Sequence, residues 1–538
     1  MSTADRRLLA REAAFSTALA ASLAALVLWA TPPGVDWAAH AYQRAFLLQH
    51  GFALWNNFWY AGHYSFVTYS LLYYPLAALL GIRVLALASI AAAAGAFTLV
   101  AMREWGNAAR LSSRTFALLW VGIIGSAAFP FALAISLALL SIFALQEGRR
   151  GRFALGAVLT LAASPLAFVL LAIVGGGALL ARRSVRNVGV PILVVASAGC
   201  AELILYRMFG DGGRYPFPFL ELVPALIFAC LGLAVTRGVP AARALYGVFW
   251  IYLVVLLITY IVPSGIGSNI DRVRYLALPL ALLAGTLRRW RPLWLVVPAL
   301  VLATAWNLTP IATSFASSAS SAESERAYWQ PAIAYLHHQL TPSYRVEAVD
   351  TVDHWPAAYL PEAGIPLVRG WYRQSDYPEN QLLYSKALNR STYQAWLRSL
   401  GVRYVVLSDA TPDYSSRLEA ALIRNGRSGL VPVFHSAHTV VYELRNALSM
   451  ITGPGEADVV SLDSTQMQLD MTKPGIYRVA VRWSPYWQAK DACTMKGEDG
   501  MLRVQVPDAG IVKLRFSVSV QRGLETLAGV STDGSCKE

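Results

Sequence analysis

Apolar stretches separated by short polar ones fill the first 313 residues, and then the pattern stops. The apolar runs fall at 13–30, 83–102, 115–129, 131–146, 153–163, 166–181, 188–206, 219–236, 244–262, 275–287 and 292–313. Each is apolar around its whole circumference, as expected of a helix in lipid, where a full crossing takes about 20 residues. A shorter stretch, "FVTYSLLYYPLAALLG" at 66–81, carries Pro75 among its tyrosines and reads as an interfacial helix. Beyond Thr313, "SFASSASSAESER" is a polar linker. From 314 to 445, β-rich runs such as "VRYVVLSD" alternate with helical ones such as "STYQAWLRSL", which predicts an α/β domain. From 446 to 538, alternating segments such as "GIYRVAVRW" and "GIVKLRFSVSV" lie between Gly, Pro and Asp turns, which predicts an antiparallel β-sandwich. The predicted fold is therefore a multi-pass α-helical membrane bundle of about 11 helices over 1–313, a first outer loop at 31–82, and two soluble domains behind it.

Composition supports the membrane reading. Of 538 residues 56% are hydrophobic and 14% charged, and the mean hydropathy is +0.45. The formal charge of +13 would suit nucleic acid if it formed a patch, but the arginines sit in small clusters between apolar runs, so nucleic acid is excluded as a partner. The clusters are Arg6, Arg7 and Arg11; Arg103, Arg110 and Arg114; Arg149, Arg150 and Arg152; Arg182, Arg183 and Arg186; Arg237 and Arg243; and Arg288, Arg289 and Arg291. Placing all of them in the cytoplasm obeys the positive-inside bias and pairs the intervening segments, with "LAASPLAF" turning a hairpin. The N-terminus is then cytoplasmic, the first apolar run is a retained signal anchor in the plasma (inner) membrane, and both C-terminal domains are extracytoplasmic. In that compartment Cys493 and Cys536 become a disulfide candidate, while Cys200 and Cys230 lie in apolar runs.

The polar residues that escape this pattern are the candidates for chemistry. Asp36 follows the first apolar run directly, with "TPPG" as a helix breaker before it and Trp37 after it, so partial desolvation there would favour its use as a general base. His40 is one helical turn further on, and an acid and an imidazole so placed can share a proton-transfer task or hold a divalent cation (Mg, Mn or Ca). A solvated loop acid beside an interfacial histidine is the alternative. In "PSGIGSNIDRVRYLALPL", Asp271, Arg272 and Arg274 stand on the predicted outer side, against the arginine rule. Either arginine suits a phosphate, or each pairs with an acid, Asp271 with one of them or Asp36 with Arg272. Asp211, in the loop "GDGGRYPFPFLELVP", and Glu202, inside an apolar run and expected to face the bundle interior, are further candidates for substrate contact. So are Arg44 and the rings of Trp37, Trp55 and Trp59, although an aromatic belt at the membrane surface has the same composition. The polar groups in "DTVDHWP" and "RGWYRQSDYPE" read as solvated loops. Walker A, dinucleotide and zinc patterns are absent from the sequence.

The stretch "GVDWAAHAYQRAFLLQHGFALWNNFWYAGHYSFVTYSLLYYPLAALLG" resembles the first outer loop of the GT-C superfamily of integral-membrane glycosyltransferases. It is most similar to the bacterial membrane proteins grouped as 6-pyruvoyl-tetrahydropterin-synthase-related, through Asp36, His40, Gly51, Trp55, Gly62 and the run Tyr73 to Leu76. The resemblance implies that Asp36 is the catalytic or metal-associated carboxylate and that the donor is a polyprenyl-phosphate-linked sugar. It further implies an inverting transfer to a glycan, lipid or protein acceptor of the cell envelope, with Arg272 or Arg274 on the donor phosphate. Where many members have two adjacent acids, Trp37 follows Asp36 here. A transporter or lipid flippase, or a non-catalytic envelope-assembly protein, would share the helical pattern; the repeated halves common in transporters are not visible in this sequence.

Overall fold

Every apolar run marked above falls on helix in the computed structural model, which describes residues 3–67, 69–181, 189–210, 213–318, 322–529 and 536. Among the described residues seven helical spans are long and apolar enough to cross a membrane, from Asp5–Ala30 to Leu293–Thr313. The lower count has two causes. Arg150–Ala163, Pro165–Ala181 and Ala277–Leu287 are short, and Ile82–Ser126 is a double pass in which a tight turn at Gly106–Ala109 separates two helical legs. Large apolar side chains remain exposed on these helices, among them Leu26, Leu155, Leu220, Ile261 and Trp294, as lipid-facing surface requires. The chain is an integral membrane protein.

The chain divides into two units. The first comprises Met1–Trp37, Tyr69–Leu203 and Arg214–Ser320. Its described arginine clusters gather at one end, while Arg182, Arg183 and Arg186 lie outside the described residues. Buried Glu12 accepts from Arg110 at 2.7 Å and Arg114 at 2.9 Å, Glu147 pairs with Arg103 at 3.3 Å and Arg149 at 3.1 Å, and Arg288 donates to the carbonyls of Val235 and Arg237. Helix Thr3–Ala30 carries Glu12 near its start, and its 28 residues rise about 1.5 Å each, so its far terminus is a bilayer's thickness away. Short helix Tyr73–Leu80 buries Tyr73, Tyr74 and Ala77 and exposes Leu79 and Leu80, as an interfacial segment should.

The second unit comprises Ala38–Thr68, Ile204–Gly213 and Ser321–Glu538. Its strands in chain order are β1 (Trp55–Asn56), β2 (His63–Tyr64), β3 (Arg345–Ala348), β4 (Val402–Ser408), β5 (Val431–His435), β6 (Thr439–Glu443), β7 (Ile451–Thr452), β8 (Ala457–Leu462), β9 (Gln466–Met471), β10 (Gly475–Arg482), β11 (Trp487–Ala489), β12 (Cys493–Lys496), β13 (Met501–Val506) and β14 (Gly510–Phe516). The α/β part has the sheet order β3-β4-β6-β5, in which only the β3–β4 pairing is parallel. Two antiparallel sheets, β12-β13-β10-β7 and β11-β14-β9-β8, form the sandwich, and residues such as Leu469, Tyr477, Val479 and Trp487 fill its core. Cys493 and Cys536 are joined as a disulfide, with Cα atoms 4.9 Å apart. Asn389 caps helix Arg390–Ser399 through a reciprocal pair of hydrogen bonds with Thr392, so its amide is engaged in the fold.

One boundary differs from the sequence reading. Residues 38–68, taken as part of the membrane domain's outer loop, belong with the second unit. The cause is specific pairing: Leu367 N–H donates to Phe58 O at 2.9 Å, Trp59 Nε1 to Ala357 O at 2.8 Å, and Asn57 Nδ2 to Asp463 O at 2.7 Å.

Candidate active site at one end of the helical unit

The approach to Asp36 is fixed residue by residue. Thr31 closes helix Thr3–Ala30 by donating from its hydroxyl to Val27 O at 2.8 Å, and Pro32 and Pro33 prevent its continuation. Gly34 then passes so close to the turn at Ile124 and Gly125 that a Cβ would lie 2.2 Å from the Ile124 carbonyl oxygen. That approach lets Val35 N–H donate to Gly125 O at 3.1 Å and Asp36 N–H to Ser126 O at 3.2 Å. Asp36 is thus held by backbone at the terminus opposite the arginine clusters, half-buried. Next to it, Trp37 meets Phe129 edge-on at 5.3 Å, and the Arg83 guanidinium lies 5.7 Å above the Trp37 ring.

Arg272 comes to the same end on the tight helical segment Gly267–Leu276. It is half-buried, with its guanidinium 5.3 Å from the centre of the Phe131 ring. Burial works against its charge, but Tyr275, Tyr69, Asp36 and Tyr215 outweigh that and hold its pKa above the ordinary value. Tyr69 is pushed up by burial, with Arg272 opposing and Asp36 adding to the shift, so its phenol keeps its proton. The unit therefore gathers a carboxylate, a guanidinium and a protonated phenol within electrostatic range of one another.

Arg274 takes the other course the sequence left open. It pairs with Asp271, whose second oxygen faces the Tyr252 hydroxyl at 3.5 Å, and its guanidinium lies 5.8 Å from the Trp306 ring centre. Burial pushes the Asp271 carboxyl up to about 6 against the pull of Arg274. Asn307 fixes this segment by donating to Arg274 O and accepting from Leu278 N–H, each at 2.8 Å. Arg274 is thus committed to Asp271, and an anion could reach it only by breaking a nearly buried ion pair.

The other sequence candidates scatter. Glu202 is half-buried on helix Gly189–Met208, one turn beyond Ala198, which packs in a cluster with Ala138 and Phe168, so it lies on the packed side of that helix. Asp211 lies outside the described residues. His40 and Arg44 belong to the second unit on helix Trp37–His50, where His40 is buried edge-on to Trp371 at 5.5 Å and Arg44 is half-buried. Asp36 and His40 thus fall on either side of the division between units. Trp55 and Trp59 are 1% and 0% exposed and sit in the core of the second unit, not in an interfacial belt: Trp55 stacks on Phe516 at 5.0 Å and donates to Asn57, and Trp59 donates to Ala357 O. The donor set around Asp36 does not suit a hard cation. Such an ion takes several oxygen ligands, Arg272 is within electrostatic range of Asp36, and no cluster of three or more His, Cys, Asp or Glu occurs among the described residues. Tyr69 and Arg83 were missed; Arg83, like Arg272, breaks the arginine rule, and that was the available signal.

The two polar loops expected at the surface are buried and meet each other. Arg369 donates to both carboxylate oxygens of Asp376 (2.8 and 2.6 Å) and to Ser415 (2.9 Å) and Ser416 (2.6 Å). Arg373 pairs with Asp413 at 2.6 Å, and His354 Nδ1 with Asp350 at 2.8 Å. Glu347 and Glu419 complete the cluster, 3.9 and 3.6 Å from Arg369. Five carboxyls face three cations if His354 is charged, so two must be neutral for balance; burial raises Glu347 and Glu419, each opposed by Arg369.

No protein-family model matches the chain, and no curated protein does. Among solved structures it is similar to the arabinofuranosyltransferase AftD from Mycobacteria, at 15% identity and TM-score 0.45, covering 97% of this chain and 58% of that one. The chain therefore spans 58% of AftD's length. It is also similar to the Archaeoglobus fulgidus oligosaccharyltransferase tethered to an acceptor peptide, at 12% identity and TM-score 0.45, covering 82% and 75%. ArnT from Cupriavidus metallidurans bound to undecaprenyl phosphate matches at 13% identity and TM-score 0.36, covering 83% and 99%. These likenesses are too distant to transfer residue roles to this chain.

Proposed function

We propose that this protein transfers a sugar from a polyprenyl-phosphate donor to a cell-envelope acceptor at the extracytoplasmic membrane surface, with Asp36 as general base. The observation that carries the reading is the gathering of Asp36, Arg272 and Tyr69 at the end of the helical unit opposite the arginine clusters. A lipid-linked phosphate sits at headgroup level, which is where such an end meets lipid and water. In the reaction the acceptor hydroxyl oxygen bonds to the sugar's anomeric carbon as the carbon–phosphate oxygen bond breaks. Asp36 takes the hydroxyl proton, and the bonding pair leaves with the phosphate, whose added charge Arg272 offsets by charge-assisted hydrogen bonds. Tyr69, kept protonated, supplies a neutral donor beside them. One base and one anion-stabilising cation suffice for a single inverting displacement, and no covalent intermediate is needed.

The test uses full-length protein in lipid nanodiscs, assayed with a panel of polyprenyl-phosphate sugars. Replacing Arg272 by Gln should lower kcat/KM for the donor by about 10²-fold, in the range measured when a transition-state anion loses one donor. Arg274→Gln should fall by less. If Arg272→Gln transferred sugar as well as the parent, the phosphate role would be wrong.

A further inference from the structure

The second unit holds a cavity of about 380 Å³ that takes no part in the chemistry above. All of its lining residues belong to that unit. One wall is the turn Tyr60-Ala61-Gly62, whose three residues all have left-handed backbone, with φ of 56°, 56° and 107°. Only tight support holds two non-glycine residues there. Tyr60 donates its hydroxyl to Tyr372 O at 2.8 Å, Arg482 N–H donates to Ala61 O at 2.8 Å, and Gly62 lies flat on Trp55, where a Cβ would sit 2.5 Å from the ring. Trp483 and Tyr64 also line it, and the Tyr64 hydroxyl is 2.7 Å from that of Ser484. Trp55, Tyr60 and Tyr64 are buried to within 5% of full burial, so among these rings the half-buried Trp483 is the one with surface to offer, beside polar edges.

Its charge is one-sided. Arg207, Arg482 and Lys496 line it against a single carboxylate, Glu379, which is paired with Arg482. Arg207 and Lys496 are exposed at its mouth, and among the described residues neither has an ion-pair partner. A cavity near 300 Å³ is at the small end of ligand sites, the half-buried Trp483 ring suits the C–H surface of a sugar, and the two cations call for a carboxylate or phosphate on it.

We propose that this cavity binds an anionic saccharide of one or two rings. The site lies in a different unit from Asp36 and stands independently of the transfer reaction. The experiment titrates full-length protein in nanodiscs by calorimetry with digalacturonate, with its neutral counterpart cellobiose, and with inorganic phosphate. Digalacturonate should bind saturably, cellobiose at least about 10-fold more weakly, and phosphate alone more weakly than digalacturonate, because ring stacking and charge act together. The variant carrying Arg207→Gln and Lys496→Gln, both at exposed positions, should lose about 10-fold or more in digalacturonate affinity, and Asp36→Asn should lose none. Three results would overturn the proposal: no digalacturonate binding to the parent protein, binding unchanged in the double variant, or phosphate alone binding as tightly. Loss of binding in Asp36→Asn would move the ligand to the other site and equally contradict it.

Discussion

Replacing Arg369 by Met tests the buried ionic cluster of the second unit. Arg369 is 3% exposed and Asp376 0%, and the two share a bidentate pair. With the guanidinium in place the Asp376 carboxyl is pulled down to about 2, against burial. That displacement from the usual aspartate value corresponds to about 2 kcal/mol at neutral pH. Methionine fills much of the same volume but leaves Asp376 with Arg373 at 3.9 Å as its remaining counter-charge, or forces it to take a proton, and removes one of the donors to each of Ser415 and Ser416. The expected loss is therefore about 3–5 kcal/mol, the range for breaking one half of a buried pair. For a unit of this size that is a fall in apparent Tm of about 6–20 °C. Intrinsic tryptophan fluorescence during heating of the full chain in detergent micelles reports it, since Trp55, Trp59, Trp329 and Trp487 are fully buried in this unit. Glu419→Gln is the control. Glu419 accepts from the Tyr393 hydroxyl at 2.7 Å, a bond an amide oxygen can keep, and burial favours its neutral form, so an amide should cost about 1 kcal/mol or less. If Arg369→Met melted with the parent, or Glu419→Gln fell as far as Arg369→Met, the assignment of charges would be wrong.

Three further outcomes follow from the second unit. Burial pushes the Glu323 carboxyl up to about 7, so the native state holds a proton that the unfolded chain releases near its ordinary value; this stability is present in acid and is lost as pH rises through about 7. Glu323→Gln should flatten the dependence of apparent Tm between pH 5 and 8, removing a drift of at most about 3 kcal/mol; an unchanged slope would refute it. Gly62→Ala should destabilise by about 2–4 kcal/mol, since an alanine there must accept φ of 107° and displace the Trp55 ring; a neutral effect in the same melts would show that the turn relaxes. Cys493→Ser closes off the disulfide to Cys536, 43 residues away, and should cost up to about 4 kcal/mol, with reductant lowering the Tm of the parent but not of the variant.

The helices were legible because lipid demands an unbroken apolar surface, which no other context imposes over so many residues. The arginine clusters marked one end of the helical unit for the same reason, and the exceptions, Arg272 among them, pointed to the other. Asp36 stood out as the lone acid after a helix-breaking "TPPG". What the sequence hid depends on distant partners. Trp55 and Trp59 have the composition of an interfacial belt, yet their neighbours Phe516 and Ala357 lie hundreds of residues on, and those contacts make them core. The loops containing His354 and Arg369 read as solvated because the partners that bury them come from elsewhere in the chain, Asp350 and Asp413 to Arg373 and Glu419 to Arg369. Arg272 and Arg274 could not be told apart from spacing alone; only the packing of Asn307 and Tyr252 commits Arg274 to Asp271.

Sugar transfer by Asp36→Asn, measured with a polyprenyl-phosphate donor that the parent protein uses in nanodiscs, bears on the central claim most directly. The amide keeps the shape of the carboxylate and cannot take the acceptor's proton, so the rate should fall by about 10²–10⁴-fold while the melting curve and the lipid-phosphate affinity stay near those of the parent. Transfer at the parent rate by a folded Asp36→Asn protein would contradict the account.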